Sequence, residues 1–249
     1  MMKALAILTL IGISVECFVP ATYTSLRASH LHLSSKPNEL FDSQGWEAIR
    51  EELDQVPVFA CANEDGKPMK YSVELGTKGS DEKKTYEVPL FYTHVDDAIA
   101  ERDNARKATP QLDIEVCPYQ LGTIFQLWAS NEAVIVPNKK AIVSAGAPPT
   151  ANPMGQNVPL FACMDMAQEN EDGKPVLPLF FELEDAQEAL AQAVATDGGD
   201  VSEFEIVGLN LPEAVQLLSN ANKKADATAF QFIPPSSSIK HIRDVLGGI

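Results

Sequence analysis

The chain has few basic residues and few histidines for its length. Among 249 residues, 19 are Lys or Arg and 35 are Asp or Glu, so the formal net charge is −16. This balance excludes nonspecific binding to nucleic acid or anionic lipid as a main function, because both need a basic surface. Two of the 4 histidines fall within the first 38 residues, which leaves few nitrogen ligands for a metal. We therefore expect no metal and no cofactor.

Cysteines are also few, and their spacing is irregular. They are Cys17, Cys61, Cys117 and Cys163. This spacing fits neither a zinc site nor the dense disulfide framework of a small secreted domain. The redox state of the last three stays open at this point.

No apolar stretch is long enough to span a bilayer, and the longest candidate lies at the N-terminus. Residues 4–15 carry no charge and follow Lys3. That length is typical of a signal-peptide core. Val15 and Cys17 suit the −3 and −1 positions of a cleavage site, which predicts that residues 1–17 are a signal peptide cleaved between Cys17 and Phe18.

The next segment has the composition of a transit peptide. Residues 18–38 contain no Asp or Glu, contain Arg27 and Lys36, and are rich in Ser and Thr. A signal peptide followed by such a segment resembles the bipartite presequence of algae with secondary plastids. Plain secretion with an unstructured N-terminus is the alternative interpretation.

The rest of the chain is an internal repeat. Four blocks return in the same order, which indicates a duplication with too few copies for a solenoid. The blocks are 56–61 with 158–163, 64–68 with 171–175, 88–92 with 177–181, and 96–98 with 184–186.

Each copy predicts a unit of the α/β (α+β) class with the order β-β-α-β-α-β. Short apolar runs predict strands, and Asp-Gly pairs predict tight turns. We expect later strands at 112–117 and 204–208 and last strands at 134–137 and 230–233. Helical spacing predicts helices, with Leu121, Ile124, Phe125 and Trp128 on one face in the first copy, and Ala186, Ala189, Leu190, Ala193 and Val194 on one face in the second.

Flanking segments complete the predicted organisation. Trp46, Ile49 and Leu53 predict a helix before the first unit, and residues 239–246 predict a C-terminal helix with Ser238 as its N-cap. Residues 69–84 read as a polar loop inserted into the first unit. The domains are then 39–138 for the first repeat with its leading helix, 139–154 for a linker, and 155–249 for the second repeat with the C-terminal helix.

The repeated strand blocks carry a resemblance to a known family. Val-Pro-(Val/Leu)-Phe, then Pro-Leu-Phe-(Tyr/Phe), then an acidic residue before Asp-Ala and a helix is similar to the Tic twenty-two family of chloroplast protein import. The resemblance covers residues 50–236. It implies a fold of two pseudo-symmetric halves and a soluble, chaperone-like protein of the intermembrane or periplasmic space. The family has no set of catalytic residues to transfer.

Three groups of residues are candidates for chemistry, and each has a structural alternative. Cys61 and Cys163 end equivalent strands and form either a redox pair or two small buried residues. The pairs Asp96-Asp97 and Glu184-Asp185 are metal carboxylates or, as we expect, residues that stabilise helix starts. His94, beside Asp96 and Asp97, is a candidate general base, but it has no counterpart in the second unit, where Glu182 and Leu183 stand nearby.

Phe125 and Trp128 are the candidate client-binding residues, because they lie on the most aromatic helix stripe of the chain. Their helical spacing is equally typical of core positions. A chaperone needs accessible apolar surface, and a strong negative charge keeps such a protein in solution.

The sequence thus predicts a protein that is not an enzyme. We expect a plastid protein-import component, in the intermembrane space of the envelope, that binds preproteins and envelope translocon subunits and at most associates peripherally with a membrane. A stromal stress-related binding module and a thiol-dependent plastid enzyme are the alternatives.

Overall fold

The computed structural model describes residues 6–10, 13–17, 40–76, 83–169, 175–197, 199–221, 229–245 and 247. The fold is α+β, as the sequence predicts, with two five-stranded sheets that carry helices on both faces. The predicted transit peptide, residues 18–38, and the second Asp-Gly turn, Asp172-Gly173, lie outside the described residues.

The strands are β1 Ala6–Leu10, β2 Ile13–Cys17, β3 Pro57–Ala62, β4 Lys70–Gly76, β5 Lys83–Tyr92, β6 Glu115–Gln120, β7 Val134–Val136, β8 Pro159–Cys163, β9 Gln168–Glu169, β10 Pro175–Phe180, β11 Ile206–Asn210 and β12 Ala229–Ile233. The helices are α1 Gln44–Asp54, α2 Val95–Ala108, α3 Leu121–Ala129, α4 Lys139–Ser144, α5 Leu183–Asp197, α6 Leu211–Ala221 and α7 Ser236–Val245. Short 3₁₀ turns occur at Met164–Met166 and Val201–Glu203.

Both sheets have the same strand order and the same pairing senses. The first runs β6-β3-β5-β7 with β4 added to β5, and the second runs β11-β8-β10-β12 with β9 added to β10. In each, the last strand joins parallel, through β5–β7 and β10–β12, and the other pairs are antiparallel. Equal topology follows from the repeated sequence blocks, since each block provides the equivalent strand.

The polar segment 69–84 is not a loop throughout, which corrects the sequence interpretation. Residues 70–76 form β4, which pairs with β5 from Lys70 opposite Pro89 to Gly76 opposite Lys83. Met69 and Tyr71 are buried, so this arm belongs to the outer core of the first sheet. Each unit therefore has one strand more than the predicted β-β-α-β-α-β, because β9 pairs with β10 in the second unit as β4 pairs with β5 in the first.

One core is shared between the two sheets. Val58, Ala60 and Phe91 of the first sheet meet Leu160 and Leu179 of the second in a single cluster. The cluster also takes apolar side chains from three helices, listed here as Trp46, Ile49 and Leu53 of α1, Leu121, Ile124 and Phe125 of α3, and Leu211, Ala214, Val215 and Leu218 of α6. The two units are therefore halves of one hydrophobic core.

The strand register corrects the alignment of the two repeats by one residue. Phe59 pairs with Tyr92 and Phe161 pairs with Phe180, so Tyr92 and Phe180 are equivalent. The sequence blocks align Phe91 with Phe180 instead. Successive side chains of a strand point to opposite faces, so a shift of one residue changes which face each aligned side chain occupies. Phe91 lies in the shared core, whereas Phe180 lies in an outer cluster with Phe161.

The two helices that follow the units exchange partners. Ala141 of α4, which follows the first sheet, is buried in the outer cluster of the second sheet with Phe161, Phe180 and Ala186. Ile242 of α7, which follows the second sheet, packs against the outer cluster of the first sheet. Phe59 of that cluster meets the His241 ring edge-on, with centroids 6.2 Å apart.

Several element bounds differ from the sequence expectation. Helix α4 occupies the start of the predicted linker 139–154, where Ala141 and Ile142 are buried. Strands β6 and β11 begin later than predicted, and each runs directly into its helix. Helix α7 begins at Ser236, so Ser238 is a buried residue of the first turn and not the N-cap.

At the N-terminus, β1 pairs antiparallel with β2 from Ala6 opposite Cys17 to Leu10 opposite Ile13. Within the described part of the chain, no helix combines the length and apolar character needed to cross a membrane.

Candidate client-binding site

Phe125 and Trp128 lie where helix α3 packs against the shared core. Phe125 has no exposed surface, and Trp128 is partly buried against the same cluster. The Phe125 ring stacks on Trp46 at 5.9 Å and meets Trp128 at 5.1 Å between ring centroids. The structure therefore gives Phe125 a packing role in this conformation and leaves only part of Trp128 accessible.

Cys61, Cys117 and Cys163 are free thiols, and the first and third are buried. Cys61 and Cys163 are 2% and 1% exposed. Burial, together with the nearby carboxylate of Glu101, raises the pKa of Cys61 to about 12. Burial also raises the pKa of the half-buried Cys117. A nucleophilic thiol needs the opposite shift, so the geometry disfavours the thiol-dependent enzyme.

The two acidic pairs lie in the first turns of α2 and α5, as predicted. The second member of each pair binds the start of the helix that follows its own sheet. Asn138 Nδ2 donates to Asp97 Oδ2 at 2.9 Å. The Ser236 backbone N–H and hydroxyl donate to the two oxygens of Asp185 at 2.9 and 2.8 Å. These carboxylates thus anchor α4 and α7. No group of three His, Cys, Asp or Glu residues in the described ranges has the arrangement of a metal site.

His94 has a counterpart after all, which corrects the sequence interpretation. With Tyr92 equivalent to Phe180, His94 is equivalent to Glu182, and the two side chains meet, with Nε2 and Oε1 3.4 Å apart. The backbone N–H of Asp96 donates to His94 Nδ1 at 3.2 Å, so the neutral ring carries its proton on Nε2. That nitrogen lies 2.8 Å from the Ser237 hydroxyl. His94 therefore caps α2 and joins the two units, which is a structural task.

An open groove of about 340 Å³ lies beside β11. Its walls come from the end of α4, the following segment, the start of β8 and the junction of β11 with α6. The lining residues are Ile142, Ala145, Ala147, Gln156, Asn157, Pro159, Gly208, Leu209, Asn210 and Glu213. The sequence interpretation did not identify it. One sequence signal was available. When α3 and α6 of the two copies are aligned, with Leu121 on Leu211, Pro118 of the first copy corresponds to Gly208 of the second.

Exposed large hydrophobic side chains concentrate in the second half of the chain. Within the described ranges these are Met164, Val201, Val207, Leu217 and Val245. Four of the five belong to the second unit, with Val207 in β11 beside the groove, whereas Val245 belongs to α7. The second unit therefore carries most of the exposed apolar side chains in the described ranges.

Comparison with solved structures agrees with this architecture. Anabaena Tic22, described as protein transport, matches with a TM-score of 0.59 and 22% identity, over 80% of this chain and 97% of that chain. Tic22 from Plasmodium falciparum matches with a TM-score of 0.59 and 20% identity, over 81% and 98%. The chain has the Tic22 fold. The expected resemblance to the Tic twenty-two family is thus confirmed at the level of the fold.

Comparisons by sequence add nothing further. No family model matches the chain, and no curated relative matches it significantly. The shared property with the two Tic22 structures is therefore the arrangement of sheets and helices, which leaves the function to be argued from the molecule itself.

Proposed function

We propose that the chain is a plastid protein-import component that holds unfolded preproteins in transit. The supporting observation is its likeness, over nearly the whole of that structure, to Anabaena Tic22, which is described as protein transport. A holding protein needs apolar surface and a strong charge that keeps the loaded complex in solution. The exposed hydrophobic side chains of the second unit and the net charge of −16 meet both needs.

The proposed place of action is the space between the plastid envelope membranes, with preproteins and envelope translocon subunits as partners. The signal peptide 1–17 and transit peptide 18–38 are proposed as the route of entry. Fractionation of plastids separates this proposal from the stromal binding module, because a stromal module requires the protein inside the innermost membrane.

The test of holding is suppression of aggregation. Residues 39–249 should prevent aggregation of a chemically unfolded client, followed by light scattering, without ATP because the sequence has no phosphate-binding loop. If the folded protein leaves aggregation unchanged, the holding function is wrong, and if it also binds no transit peptide at micromolar concentration, the stromal module becomes the better account.

Phe125→Ala and Trp128→Ala test the aromatic stripe in the same assay. Truncating a fully buried Phe costs about 3–5 kcal/mol of unfolding free energy, so Phe125→Ala should lower the melting temperature strongly. Trp128→Ala should lower it less, since Trp128 keeps partial exposure. A loss of client binding at unchanged melting temperature would identify either residue as a binding residue, whereas parallel losses identify packing.

A further inference from the structure

Strand β11 is an edge strand with unpaired backbone groups. The Leu211 N–H donates to the Val158 carbonyl at 2.9 Å, which sets the alternation of the β8–β11 ladder. Leu209 and Val207 then bond to β8, while the N–H groups of Ile206, Gly208 and Asn210 point away from the sheet. In the described part of the chain, no strand pairs with this side of β11, and no hydrogen bond reaches these groups.

The equivalent edge of the first sheet is blocked. Leu121 donates to the Val56 carbonyl at 3.0 Å, so the alternation in β6 is the same, and Pro118 occupies an outward position. Pro118 pairs with Phe59 as Gly208 pairs with Phe161. Proline has no N–H to donate, and proline on an edge is a common protection against pairing with another chain. Glycine at the same position leaves the donor free, and a side chain there would meet no atom within 4 Å.

The groove adjoins this open edge. Gly208, Leu209 and Asn210 form one wall, and the end of α4 forms the other. An extended chain that pairs with β11 places alternate side chains toward the groove, where Ala145 and Ala147 offer apolar contact. An edge that donates backbone hydrogen bonds and a groove that accepts side chains together make a site for an extended peptide.

The charge around β11 selects the kind of peptide. The described residues 199–221 contain Asp200, Glu203, Glu205 and Glu213 but no Lys or Arg, and all four acidic residues are exposed. Glu213 lines the groove itself. A basic segment without acidic residues complements this field, whereas an acidic segment is repelled.

We propose that β11 binds an extended, basic, acid-free segment of a preprotein by strand addition, with its side chains in the adjoining groove. The inference rests on the proposed holding function, and it identifies β11 as the surface where a preprotein first binds. Residues elsewhere in the client then meet the exposed hydrophobic side chains of the second unit.

The test transfers the block of the first sheet to the second. Gly208→Pro in the full chain removes one outward donor and no ladder bond, and Pro118 shows that this fold accepts proline at the equivalent place. Gly208→Ala is the matched control, because it adds a side chain and keeps the N–H. The probe is a fluorescently labelled ten-residue peptide in which arginine alternates with valine, and the readout is fluorescence anisotropy.

We expect Gly208→Pro to weaken peptide binding by about tenfold or more, the effect of one lost hydrogen bond and a blocked approach. Gly208→Ala should stay close to the native affinity. The same peptide methylated on alternate backbone nitrogens, or with glutamate for arginine, should bind weakly to the native chain. This peptide control needs no variant, so the proposal stays testable if Gly208→Pro fails to fold. Equal affinity of the plain and methylated peptides, or of the native chain and a folded Gly208→Pro, overturns the proposal.

Client aggregation measured on the same samples separates the two proposals. If Gly208→Pro binds peptide and suppresses aggregation as well as the native chain does, holding stands and the β11 site is wrong. If the native chain binds the peptide through Gly208 but does not suppress aggregation, the β11 site stands and holding is wrong. If the native chain does neither, both are wrong.

Discussion

At the scale of residues, the most informative contact joins His94 to Glu182. The two occupy equivalent positions of the repeat, yet one is a base and the other an acid, so the equivalent positions of the two units carry complementary side chains that meet. Glu184 adds a second link between the units, an ion pair with Lys140 at 2.9 Å. That pair is exposed, and its contribution to stability is correspondingly small.

Glu182 should make the stability of the protein depend on pH. Burial raises its pKa above the ordinary 4.5, His94 lowers it, and the charges of Asp185 and Glu184 raise it again, with Lys140 as a weaker counterion. A raised carboxyl pKa stabilises the fold below the unfolded value and loses that contribution as pH rises through the folded value. As the pH rises from 4.5 to neutrality, the free energy of unfolding should therefore fall less in the Glu182→Gln protein than in the native chain.

Urea unfolding at a series of pH values measures this difference. Glu188→Gln, an exposed position on the same helix, controls for the loss of one negative charge. The other carboxyls with a raised pKa, Asp97 and Glu101 among them, remain in both proteins. Identical pH profiles for the native chain and Glu182→Gln would contradict the assignment.

At the scale of elements, helices α1 and α3 approach each other closely at Gly122. A methyl group on Gly122 would lie 2.8 Å from the carbonyl oxygen of Arg50 and 2.5 Å from Oδ1 of Asp54. The carbonyl belongs to the backbone of α1 and cannot move aside as the end of a flexible side chain can. Gly122 thus sets the distance between the two helices that fill the shared core.

Gly122→Ala should destabilise the protein although alanine favours helices. Overpacking costs roughly 1–3 kcal/mol, against a gain in helix propensity of about 1 kcal/mol. Thermal unfolding measures the net effect as a lower melting temperature. Thr123→Ala, at the exposed neighbouring position, should leave the melting temperature nearly unchanged. A Gly122→Ala protein as stable as the native one would show that α1 and α3 are free to separate.

The elements also show what a sequence can predict. The apolar blocks gave every shared-core strand, because alternation and helical spacing are local signals; Val58, Phe59, Phe91, Leu160, Phe161 and Phe180 are all buried as their pattern predicts. Strand β4 was missed although Tyr71, Val73 and Leu75 alternate with polar residues, because the whole segment 69–84 was interpreted as one polar loop with the Gly and Lys residues that follow β4. Helix α4 was missed because the six residues of 139–144 are too few for periodicity to show.

The groove beside β11 could not be predicted from any single element of the sequence. Its residues come from four places in the chain, and none carries a motif. Only the comparison of Pro118 with Gly208 pointed to the site, and its meaning depended on knowing that β6 and β11 are edges. The one-residue register slip had the same origin, since the Pro-Leu-Phe letters match with Phe91 on Phe180, and only the strand pairing of Phe59 and Phe161 shows that Tyr92 takes that place.

At the scale of the whole molecule, the crossed helices α4 and α7 make each half complete the other. Ile242 contributes from the far end of the chain to the cluster that contains Phe59 and Val95. Ile242→Ala should therefore loosen the first unit. Amide hydrogen exchange should become faster in β3 and α2, because the free energy of local opening there falls by roughly 1–2 kcal/mol. This loss is smaller than that for truncating a fully buried isoleucine, since Ile242 is only partly buried.

Val245→Ala is the matched control for this exchange experiment, because Val245 lies on the same helix and is 64% exposed. It should leave exchange in β3 and α2 unchanged. Faster exchange confined to the second unit in the Ile242→Ala protein would mean that α7 does not support the first sheet.

The crossing of α7 also determines when the chain can fold during its synthesis. Because α7 follows the second unit in the chain, the ribosome releases it after both sheets, and the outer face of the first sheet stays uncovered until the second unit has been made. The first unit is thereby completed only after the second has been synthesised. The first unit thus has no complete fold of its own while the second unit is being made, so the two units reach their native state together.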